Sequence, residues 1–424
     1  MMRCTARFAH RFAGNRDGGV AVLFGLMVVA LLTTMGVAVD FSRILHTKAR
    51  LVAAADAASL AAGRALLDGR LSDADIIALA QSYFTENVGA TGPDFGTVAI
   101  PTVGINRTTG EVRIDVAATV PMTLMQLAGF DQVAVPVASS TKFEEQDVEL
   151  SLALDVTGSM DAPGKMDALK DATKDLIDIM LPDGGTTNDV RVALAPYSSG
   201  VNAGSYVRAA TGQSTHTCTF EREGADQTSD AAPAMGNYLK VRGDAGIWSS
   251  ATCPTATVTP LSDDKAALKS AVDGYRPTGS TAGHLGAQWA SYLISPNWSG
   301  VFGAASAPAP FYDDKTVKAV VLMSDGLFNT VGGRNYGDNS TQARQSQAMA
   351  VAVCDALRAK SVMVFTVGFR LDDIASATNR NAAAATLADC AGSSERYFDA
   401  RDAAELRAAF QQIANQLNNL RLTN

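Results

Sequence analysis

Residues able to do chemistry concentrate in one short stretch, Asp155-Val156-Thr157-Gly158-Ser159, where a carboxylate and two hydroxyls recur at every second position. The stretch follows an apolar run, 148–154, that reads as a buried strand. It precedes 165–180, where Met166, Leu169, Leu176, Ile177 and Met180 recur at helical spacing. The oxygens therefore sit on a tight loop at the carboxyl end of a strand, which is where open α/β sheets bind ligands. An oxygen-only cluster in that place suits a small hard cation such as Mg²⁺.

Other chemistries fit less well. An aspartyl-phosphate loop needs a second aspartate two residues after Asp155, and Thr157 stands there. A phosphate-binding loop at Gly164-Lys165 lacks the following Ser or Thr, since Met166 occupies that place, and position 159 is not glycine. The four histidines show no zinc-ligand spacing. No Ser/His/Asp arrangement is legible, and His284, four residues before Gln288, reads as a surface or packing residue. A metal-dependent hydrolase is thus the weaker alternative, and the chain is expected not to be an enzyme. A net charge of −8 without a block of five like charges argues against a nucleic-acid binder.

The stretch resembles the D-x-[ST]-x-S motif of the metal-ion-dependent adhesion site (MIDAS) in von Willebrand factor type A domains. That family completes its site with a distant threonine and a distant aspartate. Here Gly279-Ser280-Thr281, followed by Gly283, offers Thr281; the apolar run 317–323, ending in Ser324-Asp325-Gly326, offers Asp325. Threonine at 157 replaces the more usual serine. The resemblance implies that Thr157, Ser159 and Thr281 give hydroxyls, with Asp155 and Asp325 on the metal or one layer behind it. It implies Mg²⁺ or Mn²⁺, a protein partner offering a carboxylate, and cell adhesion without bond cleavage.

The elements that must position these loops follow from periodicity. Buried-strand runs at 190–195 and 362–369 alternate with helical runs at 265–272, 342–358 and 403–420. In the last of these, Leu406, Phe410, Ile413, Leu417 and Leu420 form one stripe. The alternation predicts an α/β fold over 147–424, a doubly wound, mostly parallel sheet. Residues 198–260 break the pattern with Gly, Ser, Thr and Asn and read as a long insertion beside the candidate site.

Upstream, residues 1–17 carry Arg3, Arg7, Arg11 and Arg16 and read as a cytoplasmic tail. Residues 18–39 form 22 uncharged positions, enough for a transmembrane helix. No cleavage site of signal-peptide type follows closely. Residues 40–88 read as a helical, pilin-like stalk, with Ser72 and Asp75 as a capping box. Residues 89–146 form a small α+β module behind a Gly/Pro linker at 89–96. Its strands are expected at 98–105, 112–120 and 133–138, with a turn at Thr108-Thr109-Gly110 and a short helix at 122–128.

Gly18-Gly19-Val20-Ala21-Val22, then Ala38-Val39-Asp40-Phe41, then the small-residue run Ala54–Ala62 containing Asp56 and Ser59, resemble the amino-terminal region of tight-adherence (Flp-type) pilus-assembly proteins of the TadE/TadG kind. Larger members of that group, the TadG kind, carry a type A domain behind this region. The resemblance implies that the partners are other pilus-assembly components; a structural minor pilin is the alternative role. Related pseudopilins place a glutamate where Leu23 stands, which favours a permanent anchor.

Cys4 precedes the apolar run, and Cys218, Cys253, Cys354 and Cys390 follow it. Arg43, Lys48 and Arg50 flank the run on its far side, so positive charge barely separates the two orientations. The cysteines decide: the large part is expected to be extracytoplasmic or periplasmic, anchored by a single pass in the cytoplasmic (inner) membrane. Four cysteines allow three pairings. Pairing of sequence neighbours is expected, Cys218 with Cys253 and Cys354 with Cys390.

Overall fold

The computed structural model describes residues 19–68, 71–89, 96–107, 109–142, 146–183, 189–214 and 216–421. The chain divides into two compact units, Met1–Glu144 and Glu145–Asn424. The expected tail at 1–17 with Cys4, most of the linker at 89–96, and Thr108 of the expected turn lie outside the described residues.

The first unit opens with helix α1 (Gly19–Asp68). The expected apolar run and the start of the stalk are thus one continuous helix. Residues Val20–Leu66 are long and apolar enough to cross a membrane. The two ends of α1 differ sharply in cover. Val20 is 75% and Met35 67% exposed, whereas Leu51, Ala54, Ala55, Ala58 and Ala62 are fully buried. Helix α2 (Asp73–Val88) begins at a reciprocal capping box, in which the Asp75 N–H donates to Ser72 Oγ and the Ser72 N–H donates to Asp75. It runs five residues beyond the expected end at Tyr83.

The four strands of this unit are β1 (Thr97–Val98), β2 (Thr102–Asn106), β3 (Glu111–Pro121) and β4 (Gln132–Lys142). All pair antiparallel with β3. Two short strands replace the single one expected over 98–105, and the expected helix at 122–128 is a short 3₁₀ turn, Met125–Ala128. Helices and sheet share one core, in which Val112, Ile114, Val116, Ala118 and Val120 alternate inward against Ala58, Ile76 and Phe84. The stretch 40–88 is therefore not a free stalk set apart from the module at 89–146. The small residues of Ala54–Ala62 let α1 lie close on β4, where Ser139 Oγ donates to Asp56 at 2.7 Å and Ser59 Oγ meets Thr141 Oγ1 at 2.7 Å.

The second unit is an α/β domain. Its parallel strands are β5 (Asp147–Asp155), β6 (Val190–Tyr197), β11 (Thr316–Ser324), β12 (Met363–Phe369) and β13 (Tyr397–Ala400). They lie in the order β13-β12-β11-β5-β6. One face carries helices α3 (Lys165–Met180), α4 (Lys265–Asp273) and α8 (Ala403–Arg421). The other carries α5 (Gly283–Leu293), α6 (Thr341–Arg358) and α7 (Ala377–Ala391). The sheet is thus doubly wound. Its strands read as near-continuous apolar runs because both faces are covered.

The insertion at 198–260 proves more ordered than a tethered loop. It contributes the short antiparallel strands β7 (Val201–Asn202), β8 (Cys218–Phe220) and β9 (Lys240–Val241), and β10 (Thr259–Ser262) pairs with β6, giving nine strands. Disulfides join Cys218 to Cys253 within the insertion and Cys354 on α6 to Cys390 on α7.

Candidate metal centre

Strand β5 is the switch point of the sheet: the chain goes from it to β6 on one side, and β11 returns on the other. Loops leaving β5 and β11 diverge there and open a crevice at the carboxyl edge. The register sets Met323 beside Leu154, so Ser324 stands level with Asp155, and Asp325 follows at once. The third loop enters the same crevice before α5. Backbone bonds tie the three together. The Gly158 N–H donates to Gly279 O at 2.9 Å, Thr278 N–H to Val156 O at 2.9 Å, and Asn329 N–H to Thr281 O at 3.1 Å.

Within this frame the side chains form a connected set. Asp155 Oδ1 accepts the Thr157 N–H at 2.9 Å, which holds the turn after β5. Thr157 Oγ1 lies 2.9 Å from Ser159 Oγ, which donates to Asp325 Oδ1 at 2.6 Å. Thr281 Oγ1 and Ser159 Oγ lie 3.6 Å and 4.0 Å from the point where a Cβ on Gly326 would stand. The bonds thus run from Asp155 through Thr157 and Ser159 to Asp325, and Thr281 Oγ1 lies at the same glycine as Ser159. Asp155, Thr157, Thr281 and Asp325 are buried, and Ser159 is exposed at the mouth.

Three partners were not legible in the sequence. Lys165, 3% exposed in the first turn of α3, places Nζ 2.8 Å from Asp325 Oδ2 and 3.2 Å from Asp373. Ser324 Oγ donates to Asp155 Oδ2 at 2.7 Å, and Tyr197 Oη donates to Met323 O at 2.9 Å and lies 3.3 Å from Asp155 Oδ2. Position alone hints at Lys165, which opens the helix after the motif; nothing local marks Tyr197. Burial, reinforced by the Asp325 carboxylate, pushes Asp155 well above the usual carboxylate range. Burial and the same Asp155 raise the Tyr197 phenol well above its ordinary value, so it stays a donor.

The residues fit a hard divalent cation. Every donor is oxygen, and Asp155 is buried beside a second carboxylate that Lys165 compensates only on the Asp325 side. A cation between them relieves that crowding. Among the described residues no group of three or more His, Cys, Asp or Glu is placed to hold a metal; the crevice offers two carboxylates and the hydroxyls of Thr157, Ser159 and Thr281.

Of the two places expected for His284, surface or packing, the structure gives the second: it is 3% exposed, with Nδ1 2.7 Å from Ser346 Oγ and Nε2 2.6 Å from Glu221 Oε1. The order Ser–His–Glu is that of a hydrolase triad, and sequence separations of 62 and 63 residues hid it. Ser346 is fully buried, so no substrate reaches its hydroxyl. Glu221 also accepts the Gly332 N–H at 3.1 Å. The cluster thus ties the insertion to α5, α6 and the turn after β11.

No curated protein matches the chain. Among solved structures, a pilus adhesin, SpaC of Lactobacillus rhamnosus GG, is similar at 13% identity and TM-score 0.42, over 75% of this chain and 34% of that one, so this chain spans about a third of that adhesin. The vWF domain of the type V pili tip protein Mfa5 from Porphyromonas gingivalis is 14% identical over 66% of this chain and 97% of that one, with TM-score 0.40. The manganese-loaded TRAP protein of Plasmodium vivax is 16% identical over 64% and 74%, with TM-score 0.32. Residues 18–65 match the family model described as putative Flp pilus-assembly TadE/G-like. The chain thus joins an amino-terminal segment that matches a TadE/G-like family model to an α/β unit with a doubly wound, mostly parallel sheet.

Proposed function

We propose that the protein is a membrane-anchored component of Flp-type pilus assembly that binds a protein partner through a divalent cation, Mg²⁺ or Mn²⁺, held by Asp155, Thr157, Ser159, Thr281 and Asp325. The observation that carries this reading is the meeting of three loops, far apart in sequence, around oxygen donors with the Ser159 hydroxyl at an open mouth. When bound, the cation supplies an open position for a partner's carboxylate. The charges favour that capture. Lys165 cancels one of the two carboxylates and Arg370, 2.9 Å from Asp373, cancels the third acid nearby. A divalent cation there stays under-neutralised and attracts an anionic ligand.

The insertion borders this mouth. The Ser280 N–H donates to Ser199 Oγ at 2.7 Å, and the backbone N–H of Trp248, a residue 47% exposed, donates to Gly332 O at 2.8 Å. Arg334 stacks over Tyr336 at 5.1 Å on the adjoining turn. These side chains give a partner an exposed aromatic and cationic patch on the insertion and the turn it packs against. The partner class is other pilus-assembly components, with the α/β unit outside the cytoplasmic membrane and no chemistry performed on the ligand.

Cross-linking in intact cells tests the reading, with and without a chelator and with Ser159→Ala alongside. A cross-link to an envelope or pilus protein that is lost on chelation and in the variant is expected. A pattern unchanged by either overturns the metal-bridged contact. Metal-dependent nucleotide turnover that disappears in Ser159→Ala would instead make the protein a hydrolase.

A further inference from the structure

We infer that the loop from Thr123 to Phe130 in the first unit is seated in the interfacial layer of the bilayer that α1 crosses, with Leu124 and Phe130 as its lipid contacts. The inference rests on the reading of residues 18–39 as the membrane span; it does not depend on the metal centre.

The loop is fastened to the helix at the end of that span. Asp40 is fully buried and accepts the N–H groups of Thr123, Leu124 and Met125 at 3.1, 2.9 and 2.8 Å. Arg43, 3.8 Å from Asp40, donates to the Thr123 hydroxyl. The chain then reaches back along the helix. A side chain at Gly36 would overlap Leu124, so Leu124 lies directly on that glycine. At about 1.5 Å per residue, Gly36 is roughly 6 Å from Asp40 along α1, toward the apolar end. Leu124 must therefore share the depth of the last turn of the span.

Exposed apolar side chains occur on both elements at this level. Leu124 is 41% and Phe130 54% exposed on the loop, and Val37, Val39 and Phe41 are 49, 55 and 57% exposed on the helix, with Thr123 and Gln126 as exposed polar neighbours. Several N–H groups of the loop are held within the protein, which lowers the cost of approaching the hydrocarbon. Besides the three N–H groups held by Asp40, Met122 N–H donates to Asp131 O at 2.9 Å, Gly129 N–H to Gln126 O at 2.9 Å, and Phe130 N–H to Met125 O at 3.1 Å. Lipid covers the neighbouring helix residues, and the loop continues the same surface. Large aromatic and aliphatic side chains suit that boundary.

Depth-dependent quenching decides it. The full chain is placed in liposomes with brominated acyl chains, with single substitutions Leu31→Trp, Leu124→Trp, Phe130→Trp and Leu71→Trp, and wild-type emission from Trp248, Trp289 and Trp298 is subtracted. Leu71 serves as the distant control: its carbonyl accepts from Arg107 beside the Asn106–Glu111 end of the sheet, the far end of β3 from Pro121. Quenching is expected at 31, 124 and 130 and not at 71. Quenching at 31 with 124 and 130 behaving like 71 overturns the placement of the loop. Blue-shifted but unquenched emission at 124 and 130 also overturns it, by showing a protein surface over the patch. No quenching at 31 removes the membrane reading and the inference with it. Phe130→Trp replaces an exposed ring and keeps the test valid where Leu124→Trp disturbs packing on Gly36.

Discussion

Lys165 holds the second oxygen of Asp325 from the first turn of α3. Removing its ammonium leaves a buried carboxylate near Asp155 without its partner, a loss of about 3–5 kcal/mol. Lys165→Met is expected to lower the urea midpoint accordingly, and Mg²⁺ is expected to recover part of the loss by supplying the missing charge. A variant as stable as wild type would show that the pair contributes nothing. Ser159 is exposed, so Ser159→Ala is expected to fold normally while losing the rise in Tm that Mg²⁺ gives the wild type. Glu221 makes a pH prediction. Burial alone would raise it, but the hydrogen bonds from His284 and the Gly332 N–H outweigh that and hold it below its ordinary 4.5. The folded state thus binds fewer protons than the unfolded state in the window just below that value. The stability Glu221 contributes is full above pH 4.5 and is lost as pH falls through its lower folded-state value. Denaturation measured from pH 6 to about 3 should show that loss, and Glu221→Gln should flatten it.

Helix α5 sits closer to the sheet than ordinary side chains permit. A Cβ at Gly286 would overlap the ring of Tyr197, the phenol beside Asp155. Gly286→Val is therefore expected to cost about 1–3 kcal/mol by overpacking and to weaken Mg²⁺ binding by moving Tyr197. Unchanged cation affinity, read by calorimetry, would show that Tyr197 does not position the site. At the far side of the same face, Cys354–Cys390 joins α6 to α7 across a 36-residue separation. A cross-link of that loop length stabilises by about 2–4 kcal/mol. The double variant Cys354→Ala/Cys390→Ala is expected to lose stability of that size in denaturant titration, and reduction of the wild type, which also opens Cys218–Cys253, should cost more.

At the scale of the whole molecule, one helix carries two environments. Its first turns expose Val, Leu and Met, and its later turns bury Leu51, Ala54 and Ala58 under the sheet of the first unit. In the topology we propose, a single pass with the amino terminus inside, residues 41–424 would lie on the side where disulfides persist. Protease added to spheroplasts is expected to digest this part while cytosolic markers survive. Protection of both would reverse the orientation.

Features written in local pattern were readable from the chain alone. The apolar run before Asp155, the helical period of 165–180, the Ser72–Asp75 box and the 22 uncharged residues each depend on neighbours a few positions apart. The two disulfides also join cysteines adjacent in the cysteine order. What stayed hidden had no local period. Helix α7 is alanine-rich without an apolar stripe, and β7, β8 and β9 are two or three residues long. The run Ala54–Ala62 reads as a stalk until β3 and β4 are seen to cover it. Lys165 meets Asp325 across 160 residues, and His284 meets Ser346 and Glu221 from opposite directions in the chain. Periodicity reports which face of an element is apolar, so it determined the elements and the loop that carries the motif. Strand order and packing decide which loop ends meet, so the charge balance of the crevice and the buried Ser–His–Glu tie belong to the tertiary structure alone.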